Sequence, residues 1–250
     1  MLAPSAYGEK MNVLVTAGGT CEPIDDARCI SNTGTGRLGS LIADALAEKT
    51  EIDNIFYICA KSACRPATDR ATVIPIFSVE DLENAVRDLL RTERIDAVVH
   101  SMAVSDYRVR SVSTVEQLQN ALTTTDDIYQ ALDMTDIRSG GKLSSQMGSP
   151  LLLLEQTPKI LPLFRELAPE TFLIGFKLLS GVTTEQLFEV AKALLEKNGC
   201  DLVLANDITQ ISGDTHKAYL LDGEPAFEEF DTKQEIAQGI AARIIREVQA

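Results

Sequence analysis

The chain has 250 residues, of which 45% are hydrophobic and 24% are charged, and its net charge is −14. A chain of this length can bury a large core, and its hydrophobic fraction excludes an intrinsically disordered protein. The acidic excess argues against nucleic acid or an anionic membrane surface as a partner, because both require a basic face. A small anionic substrate in a locally basic pocket remains compatible with this charge.

No apolar run approaches the length of a bilayer span, and the first residues lack the pattern of a signal peptide. We therefore predict a flexible extension at residues 1–10, followed by a single domain at residues 11–250. The five cysteines form no Cys-x-x-Cys pair, which favours reduced thiols in a cytoplasmic protein. Two histidines cannot build a His-rich site, so we expect no metal site made by protein ligands alone.

Short apolar strands alternate along the chain with amphipathic helices. Strands are predicted at residues 13–17, 55–59, 72–76, 95–100, 171–176 and 202–205. Helices are predicted at residues 38–49, 158–167 and 183–198, after residue 78, and from residue 232 to the end. Helix starts are predicted from capping pairs: Ser78 with Asp81, Ser113 with Glu116, Thr183 with Gln186, and Thr232 with Glu235. This alternation predicts an α/β fold with a doubly wound, Rossmann-like parallel sheet covered on both faces.

Three segments depart from that alternation. Residues 115–132 are polar and less regular, and residues 133–149 are rich in Ser, Gly and Asp, which predicts a mobile flap. Asp222-Gly223 between two strand-like runs predicts a β-hairpin at about residues 216–230. Ligands of doubly wound folds bind past the carboxyl ends of the strands. Those ends are predicted at Thr16–Thr20, Ala60-Lys61, Ser101–Asp106, Lys177 and Asn206-Asp207.

Two short patterns raise the alternative of an NAD(P)-dependent reductase of the short-chain type. Gly34, Gly36 and Gly39 match G-x-G-x-x-G, but the first strand ends near Ala17, well before that loop. Phosphate binding at a helix N-terminus is therefore favoured over dinucleotide binding. Tyr57 and Lys61 have Tyr-x-x-x-Lys spacing, yet on a strand this spacing separates the two residues by about 13 Å. A core tyrosine is the better interpretation.

Several separated segments, taken together and in order, carry a family resemblance. They are Val15–Ile24, Ile30–Gly39, Met102–Tyr107, Gly141–Ser145, Gln156–Ile160, Ile174–Leu178 and Leu204–Asp207. Over residues 11–248 the chain resembles phosphopantothenate–cysteine ligase, in the form that lacks a fused decarboxylase. The resemblance implies an acid–amine ligase that joins 4′-phosphopantothenate to L-cysteine through an acyl-nucleotidylate. It further implies CTP or ATP with Mg²⁺, release of pyrophosphate, and a homodimer built with the flap and the hairpin.

By this resemblance, Asn32 holds the acyl-nucleotidylate while the amide forms, since a carboxamide offers a donor and an acceptor without charge. On the residues alone, a turn asparagine is the favoured interpretation. The resemblance also implies nucleotide or phosphate contacts from Gly18, Gly19, Gly34, Gly36, Arg37, Gly39, Ala103, Asp106, Asn206 and Asp207. The alternatives are a solvated arginine for Arg37 and caps or turns for the acidic and amide residues.

Three lysines are candidates for charge at the site. Lys142 lies in the flap, where the resemblance implies contact with anionic substrate, although an ordinary exposed lysine fits equally. Lys177 ends an apolar strand, where a long cation needs a partner. Many bacterial relatives carry a key lysine at the position that reads Leu194 here, and Lys192 matches it only with a two-residue offset. Leu194 is also the one feature that favours a second alternative, a non-catalytic nucleotide-sensing module.

Overall fold

The computed structural model describes residues 10–138, 140–224 and 227–249. The predicted extension at residues 1–10 lies outside the described residues except for Lys10. In chain order the strands are β1 (Met11–Ala17), β2 (Cys21–Pro23), β3 (Cys29–Ser31), β4 (Ile52–Ala60), β5 (Ala71–Ile76), β6 (Ala97–His100), β7 (Tyr107–Thr114), β8 (Pro150–Gln156), β9 (Phe172–Leu179), β10 (Leu202–Ser212), β11 (Thr215–Leu221) and β12 (Phe227–Thr232). The helices are α1 (Arg37–Ala47), α2 (Val79–Thr92), α3 (Val115–Ala121), α4 (Ile128–Met134), α5 (Leu161–Leu167), α6 (Thr184–Asn198) and α7 (Lys233–Val248).

An eight-stranded sheet runs through the molecule in the order β12-β11-β10-β9-β6-β1-β4-β5. The strands from β10 to β5 in this order pair in parallel, and β11 and β12 are added antiparallel at one edge. Val15 of β1 lies opposite Tyr57 on one side and Val99 on the other, which places β1 in the middle of the sheet. The predicted α/β class with a mostly parallel sheet is confirmed.

Each face of the sheet carries its own hydrophobic core. Val13 and Val15 of β1 face one core, which is closed by α1 and α7, and Leu14 faces the other. Residues of α2, α5 and α6 close this second core. Successive side chains of a strand point to opposite faces, so a central strand covered on both sides must be apolar throughout. This requirement explains the apolar run Val13–Val15 in β1, at the start of the domain.

Three of the four predicted helix caps are confirmed, at α2, α6 and α7. The fourth prediction, Ser113 with Glu116, is wrong by one residue, because Thr114 caps α3 together with Gln117. Ser113 is fully buried, and its hydroxyl hydrogen-bonds Thr135 Oγ1 at 2.7 Å. Since β7 extends through Thr114 and turns Ser113 inward, only the next residue is free to cap the helix.

Two small sheets stand apart from the main one. The β2–β3 hairpin precedes α1, and β7 pairs antiparallel with β8. The sequence did not predict β7. The predicted helix start at Pro158 is also wrong, because the first turn of α5 contains Pro162 instead. The flap begins later than predicted, since residues 133 and 134 are the end of α4.

The predicted hairpin at residues 216–230 is present as β11 and β12, but it belongs to the main sheet. β10 continues past the expected end at Ala205 to Ser212 and pairs antiparallel with β11. Arg243 of α7 binds the hairpin through two ion pairs: its Nη1 lies 2.8 Å from Glu228 Oε1, and its Nη2 lies 2.8 Å from Asp222 Oδ2. The hairpin therefore extends the sheet edge and packs under α7. Within the described ranges, no helix combines the length and the hydropathy that a bilayer span requires.

Candidate active site at the carboxyl edge of the sheet

The loops after β1 and β6 meet at the carboxyl edge of the sheet. β1 is connected through α1 to β4 on one side, whereas β6 lies on its other side, so a crevice opens between the two loops. A backbone bridge joins Gly19 to Ala103, the amide of Ala103 donates to Gly18 O at 2.8 Å, and that of Thr20 donates to Ala103 O at 3.2 Å. The predicted loop residues Gly18, Gly19 and Ala103 are thus brought together.

Buried side chains hold these two loops in place. The Thr20 hydroxyl donates to Ser105 Oγ at 2.9 Å and accepts from the Ser105 amide at the same distance. Thr157, which follows β8, donates its hydroxyl to Ser105 O. All three residues are buried. A site built on such locked loops keeps its geometry without a ligand.

The glycines of the β1–α1 region let three loops approach one another. Gly18 and Gly36 have positive φ angles of 90° and 74°, which favour glycine. A Cβ on Gly18 would lie 2.7 Å from the Cβ of Ala63, and one on Gly36 would lie 2.9 Å from it. A Cβ on Gly39 would lie 2.6 Å from the Cβ of Ala17, so this glycine lets α1 sit on β1. These glycines therefore serve close backbone packing around the crevice.

The remaining two glycines also mark close approaches between neighbouring segments of backbone. A Cβ on Gly19 would lie 2.5 Å from Asn32 O, and a Cβ on Gly34 would lie 3.2 Å from Ala103 Cβ. Behind them, α1 begins at Arg37, and its N-cap residue Gly36 has no side chain that could cap it. The amide of Arg37 donates to Thr35 Oγ1 at 3.3 Å. The other N–H groups at the start of a helix lack intrahelical partners and favour anions. The start of α1 thus offers backbone donors beside the loop after β1.

Asn32 lies beside this helix start and directly against the β6 loop. Its side-chain amide donates to Ala103 O at 3.1 Å, and the residue is exposed. Among the described residues, its amide oxygen has no hydrogen-bond partner. Asn32 therefore presents an oriented, uncharged acceptor beside the loop after β6, and the catalytic role that the family resemblance implies for it stays a prediction.

Two cations near the crevice have no ion-pair partner among the described residues. Arg37 is exposed at the first turn of α1, and Lys177 is half-buried near the carboxyl end of β9, opposite Ala205. Neither has an ion-pair partner among residues 10–138, 140–224 and 227–249. β9 lies two strands from β1, which is about 10 Å across a sheet. In a protein of net charge −14, Arg37 and Lys177 are thus two cations that an anionic ligand at this edge could reach.

The other two lysines are placed differently. Lys192 is exposed in the middle of α6, and eight residues of helix put it about 12 Å from the start of α6. Because α6 runs antiparallel to β9 and β10, that distance leads away from the carboxyl edge. Lys142 is exposed in the flap and lines a cavity of about 570 Å³ together with Gln117 and Asn120 of α3.

Asn206 and Asp207 do not end a strand, contrary to the prediction, because β10 continues to Ser212. Asp207 is 2% exposed and accepts from the amides of Gly181 at 3.1 Å, Val182 at 2.9 Å and Thr209 at 2.8 Å. These bonds, with one from the Thr209 hydroxyl, hold the pKa of Asp207 well below its usual range. The carboxylate thus fastens the loop before α6.

Asn206 is likewise held inside the protein. It is 6% exposed, and its side-chain nitrogen lies 2.8 Å from His216 Nε2. Burial, helped by the charge of Lys233, lowers the pKa of His216 to about 4, so its ring is neutral. Among the described residues, His216 Nδ1 is buried without a partner.

Asp106 is exposed in the β6–β7 loop and forms an ion pair with Lys159. Lys159 follows β8 within the segment Gln156–Ile160, which was part of the family pattern, but sequence reasoning gave this lysine no role. Lys159 could have been identified from its position, because it is a cation directly after Pro158, in the segment that leads from β8 back to the carboxyl edge of the sheet. In the described part of the chain, no group of three or more His, Cys, Asp or Glu side chains could hold a metal ion.

The pair Tyr57 and Lys61 does not form a reductase site. Tyr57 is fully buried and donates its hydroxyl to Cys64 O at 2.8 Å, and burial raises its pKa. Lys61 is exposed beyond the end of β4, where its ammonium lies 6.0 Å from the ring centre of Phe77. The interpretation of Tyr57 as a core residue is confirmed.

His100 ends β6 directly below the crevice. One of its ring nitrogens lies 2.8 Å from Thr16 Oγ1, and its ring packs edge-on against Phe164 with 5.1 Å between centroids. Burial lowers the pKa of His100 to about 4. The ring is therefore neutral at physiological pH and acts as a core residue, as expected from the absence of a catalytic partner.

The chain is similar along nearly its whole length to proteins of coenzyme A biosynthesis. The family described as DNA/pantothenate metabolism flavoprotein C-terminal domain matches residues 9–137 and 134–248. The coenzyme A biosynthesis bifunctional protein CoaBC of Thermococcus kodakarensis is 31% identical over 85% of this chain and 45% of its own length. That of Bacillus subtilis is 26% identical over 95% of this chain and 53% of its own length, so the chain spans about half of these relatives.

Solved structures agree with this similarity. The crystal structure of the DNA/pantothenate metabolism flavoprotein from Streptococcus pneumoniae is 34% identical, with a TM-score of 0.83 over 94% of this chain and 99% of that one. The fold is also that of a Cab2 mutant in complex with phosphopantothenate-cysteine, at a TM-score of 0.68 and 14% identity over 95% of this chain and 86% of that one. The chain therefore belongs to the family of DNA/pantothenate metabolism flavoprotein C-terminal domains.

Proposed function

We propose that this protein is an acid–amine ligase that joins 4′-phosphopantothenate to L-cysteine, consuming CTP or ATP. The observation that carries the proposal is the placement of Asn32, held by Ala103 O between the loop after β6 and the start of α1. The proposal rests further on the family and on relatives named for coenzyme A biosynthesis. Reductase chemistry loses its support, because Tyr57 is a core residue.

In the proposed reaction, the substrate carboxylate attacks the α-phosphorus of the nucleotide and pyrophosphate leaves. The neutral amine of cysteine then attacks the acyl carbon, the nucleoside monophosphate leaves with its oxygen, and the proton lost by the amine passes to the departing phosphate or to water. The first step brings several negative charges together, which the start of α1, Arg37 and Lys177 would offset. Asn32 would hold the acyl-nucleotidylate by donating the second N–H of its side-chain amide, whose first N–H bonds to Ala103 O, to an acyl or phosphate oxygen. Its free amide oxygen would accept from the amine of cysteine, and the group carries no charge that could repel the phosphate.

Magnesium fits this site only as a partner of the nucleotide. The described residues offer no cluster of metal ligands, and the exposed carboxylate of Asp106 is paired with Lys159. Mg²⁺ is often bound by one or two carboxylates together with substrate phosphates. Asp106 would supply the protein ligand and release Lys159 toward a phosphate, while the ion neutralises charge on the triphosphate.

The assay is release of pyrophosphate from phosphopantothenate and cysteine, with CTP or ATP supplied in turn. We expect release with at least one nucleotide, and the absence of release with both contradicts the proposal. Asn32→Ala should lower turnover about 100-fold, as expected for loss of a preorganised polar group. Asn84→Ala, at an exposed position on α2, is the matched control and should turn over at the wild-type rate.

Two lysine variants test which cation acts. Lys177→Gln should raise the KM for the nucleotide at least tenfold, because a half-buried cation without an ion pair is lost from the crevice. Lys192→Gln should leave kinetics unchanged, since Lys192 is exposed in the middle of α6. If Lys192→Gln raises the KM and Lys177→Gln does not, the catalytic cation is Lys192 of α6 instead.

We also propose a homodimer formed through β8. Among the residues that the structure describes, this strand pairs with β7 and with no other strand, so its second edge is open there, and it exposes Leu152 at 40% and Leu154 at 42%. An apolar open edge is a template for pairing with a second copy. Light scattering should give the mass of a dimer and Leu154→Lys that of a monomer, whereas Val73→Lys on β5 should stay dimeric. A monomeric wild-type protein would contradict this part of the proposal.

The reaction is proposed for the cytoplasm, where cysteines remain reduced. All five cysteines are unpaired in the structure.

A further inference from the structure

The turn between β2 and β3 is hydrogen-bonded to the flap on both sides of Lys142. The amide of Gly141 donates to Asp26 Oδ2 at 3.0 Å, and the amide of Leu143 donates to Asp25 Oδ2 at 3.0 Å. In addition, Arg28 Nη2 donates to Leu143 O at 3.0 Å. Two separate carboxylates thus grip the residues that immediately precede and follow Lys142.

Asp25 is built into this turn before it reaches the flap. Its Oδ1 accepts from the amides of Ala27 at 2.9 Å and Arg28 at 2.8 Å, while Oδ2 accepts from Arg28 Nε at 2.9 Å. The side chain is only 1% exposed. The Arg28 guanidinium and these amides hold the pKa of Asp25 well below its usual range. The acceptor for Leu143 is therefore charged and already oriented.

The side chain of Lys142 has no partner among the described residues, whereas the backbone on either side of it is held by hydrogen bonds. It is exposed, and its ammonium has no hydrogen-bond or ion-pair partner among the described residues. Gly140 and Gly141 have φ angles of 83° and 85°, a left-handed pair that bends the chain just before Lys142. A side chain on a fixed backbone loses less entropy on binding than one on a loose loop.

The same turn leads directly into the crevice. β3 follows Arg28 and ends at Ser31, so Asn32 comes four residues after the arginine. Resting on the proposed function, we propose that Asp25 and Asp26 are positioning residues that clasp the flap and hold Lys142 ready for an anionic phosphate group of the substrate. Neither carboxylate need touch substrate. The geometry that supports this role is the pair of bonds flanking Lys142.

The first test needs no activity. Hydrogen–deuterium exchange of the ligand-free protein should be about tenfold faster at residues 140–144 in Asp26→Ala than in the wild type, because a bond to a charged acceptor is lost. Asp25→Asn should have the same effect. Asp26→Ala keeps the test valid if Asp25→Asn fails to fold, because Asp26 is exposed. Asp69→Ala, at an exposed site before β5, is the control and should not change flap exchange. Unchanged flap exchange in Asp26→Ala would overturn the clasp.

The second test asks whether the clasp acts through Lys142. Asp26→Ala should raise the KM for phosphopantothenate about tenfold and leave the KM for cysteine unchanged. In a Lys142→Ala background, the same substitution should change the KM by less than about twofold, since the residue being positioned is gone. Equal effects in both backgrounds would show that Asp26 does not act through Lys142, and would overturn the positioning role.

The two proposals fail in different ways. If the wild-type protein releases no pyrophosphate, the ligase function fails, while the exchange experiment still decides whether the turn holds the flap. If the enzyme is active and flap exchange does not respond to Asp26→Ala, the clasp fails and the ligase function stands.

Discussion

His100 should make the stability of the protein fall more steeply in mild acid than that of a variant without it. The ring is buried at the carboxyl end of β6, and its pKa is about 4 against an ordinary value of 6.5. The folded protein therefore keeps the ring neutral at a pH where the unfolded chain takes up a proton. Because this pKa is depressed in the folded state, the stability contribution is complete above pH 6.5 and is lost as the pH falls from 6.5 toward 4.

The magnitude follows from the two pKa values. At pH 5 the unfolded histidine is almost fully protonated and the folded one is not, which costs the folded state about 2 kcal/mol relative to pH 7.5. His100→Asn removes the titration and leaves a polar group near Thr16 Oγ1. His216, whose pKa is also about 4, is present in both proteins, so its contribution cancels in the comparison.

Urea unfolding at pH 7.5 and pH 5 measures this effect. The free energy of unfolding of the wild-type protein should fall by about 2 kcal/mol more over this interval than that of His100→Asn. Only the change in the free energy of unfolding between the two pH values is compared, so a lower stability of the variant at pH 7.5 does not affect the test. If both proteins lose the same free energy to within about 0.5 kcal/mol, His100 is not a buried neutral group and the reasoning is refuted.

Three further substitutions test packing and bonding around the site. Gly39→Ala should lower the free energy of unfolding by about 1–3 kcal/mol in urea, because its Cβ would meet Ala17 at 2.6 Å; wild-type stability would show that α1 can shift. Asp207→Asn should speed hydrogen exchange at residues 180–183 and lower the thermal midpoint, since a carboxamide cannot accept all four donors; unchanged exchange would contradict its role as a fastener. Tyr57→Phe should cost about 1 kcal/mol of stability and leave turnover unchanged, whereas loss of turnover alone would return Tyr57 to the active site.

The parts of the fold that the sequence predicts are those fixed by local rules. The strands of the parallel sheet are short apolar runs because both faces are covered, and Ser78, Thr183 and Thr232 begin helices because their side chains bond to amides three residues away. The crevice beside Asn32 was predictable for the same reason, since parallel strands end at one edge of a sheet.

The parts that the sequence did not predict depend on distant partners. Asp207 resembles a turn residue until Gly181 and Val182 are placed beside it. The pairing of Lys159 with Asp106 joins residues on two sides of the β7–β8 insertion. β7 was missed because a register shift between Val109 and Ser111 and the burial of two polar residues, Ser111 and Ser113, break the alternation of a strand. Only the folded chain brings these groups together, so neither spacing nor composition reveals them.

The order of strands has a consequence for how the protein forms during synthesis. β1, β4, β5 and β6 all lie within residues 11–100, and the loop after β6 completes the crevice at residues 101–106. The other edge of β6 pairs with β9, which begins only at Phe172. At about 5–20 residues per second, the ribosome needs roughly 4–14 s to reach it. During that interval β6, a central strand of the finished sheet, has an open edge that can pair with another chain, so the four-stranded half-sheet is most exposed to aggregation before β9 is made.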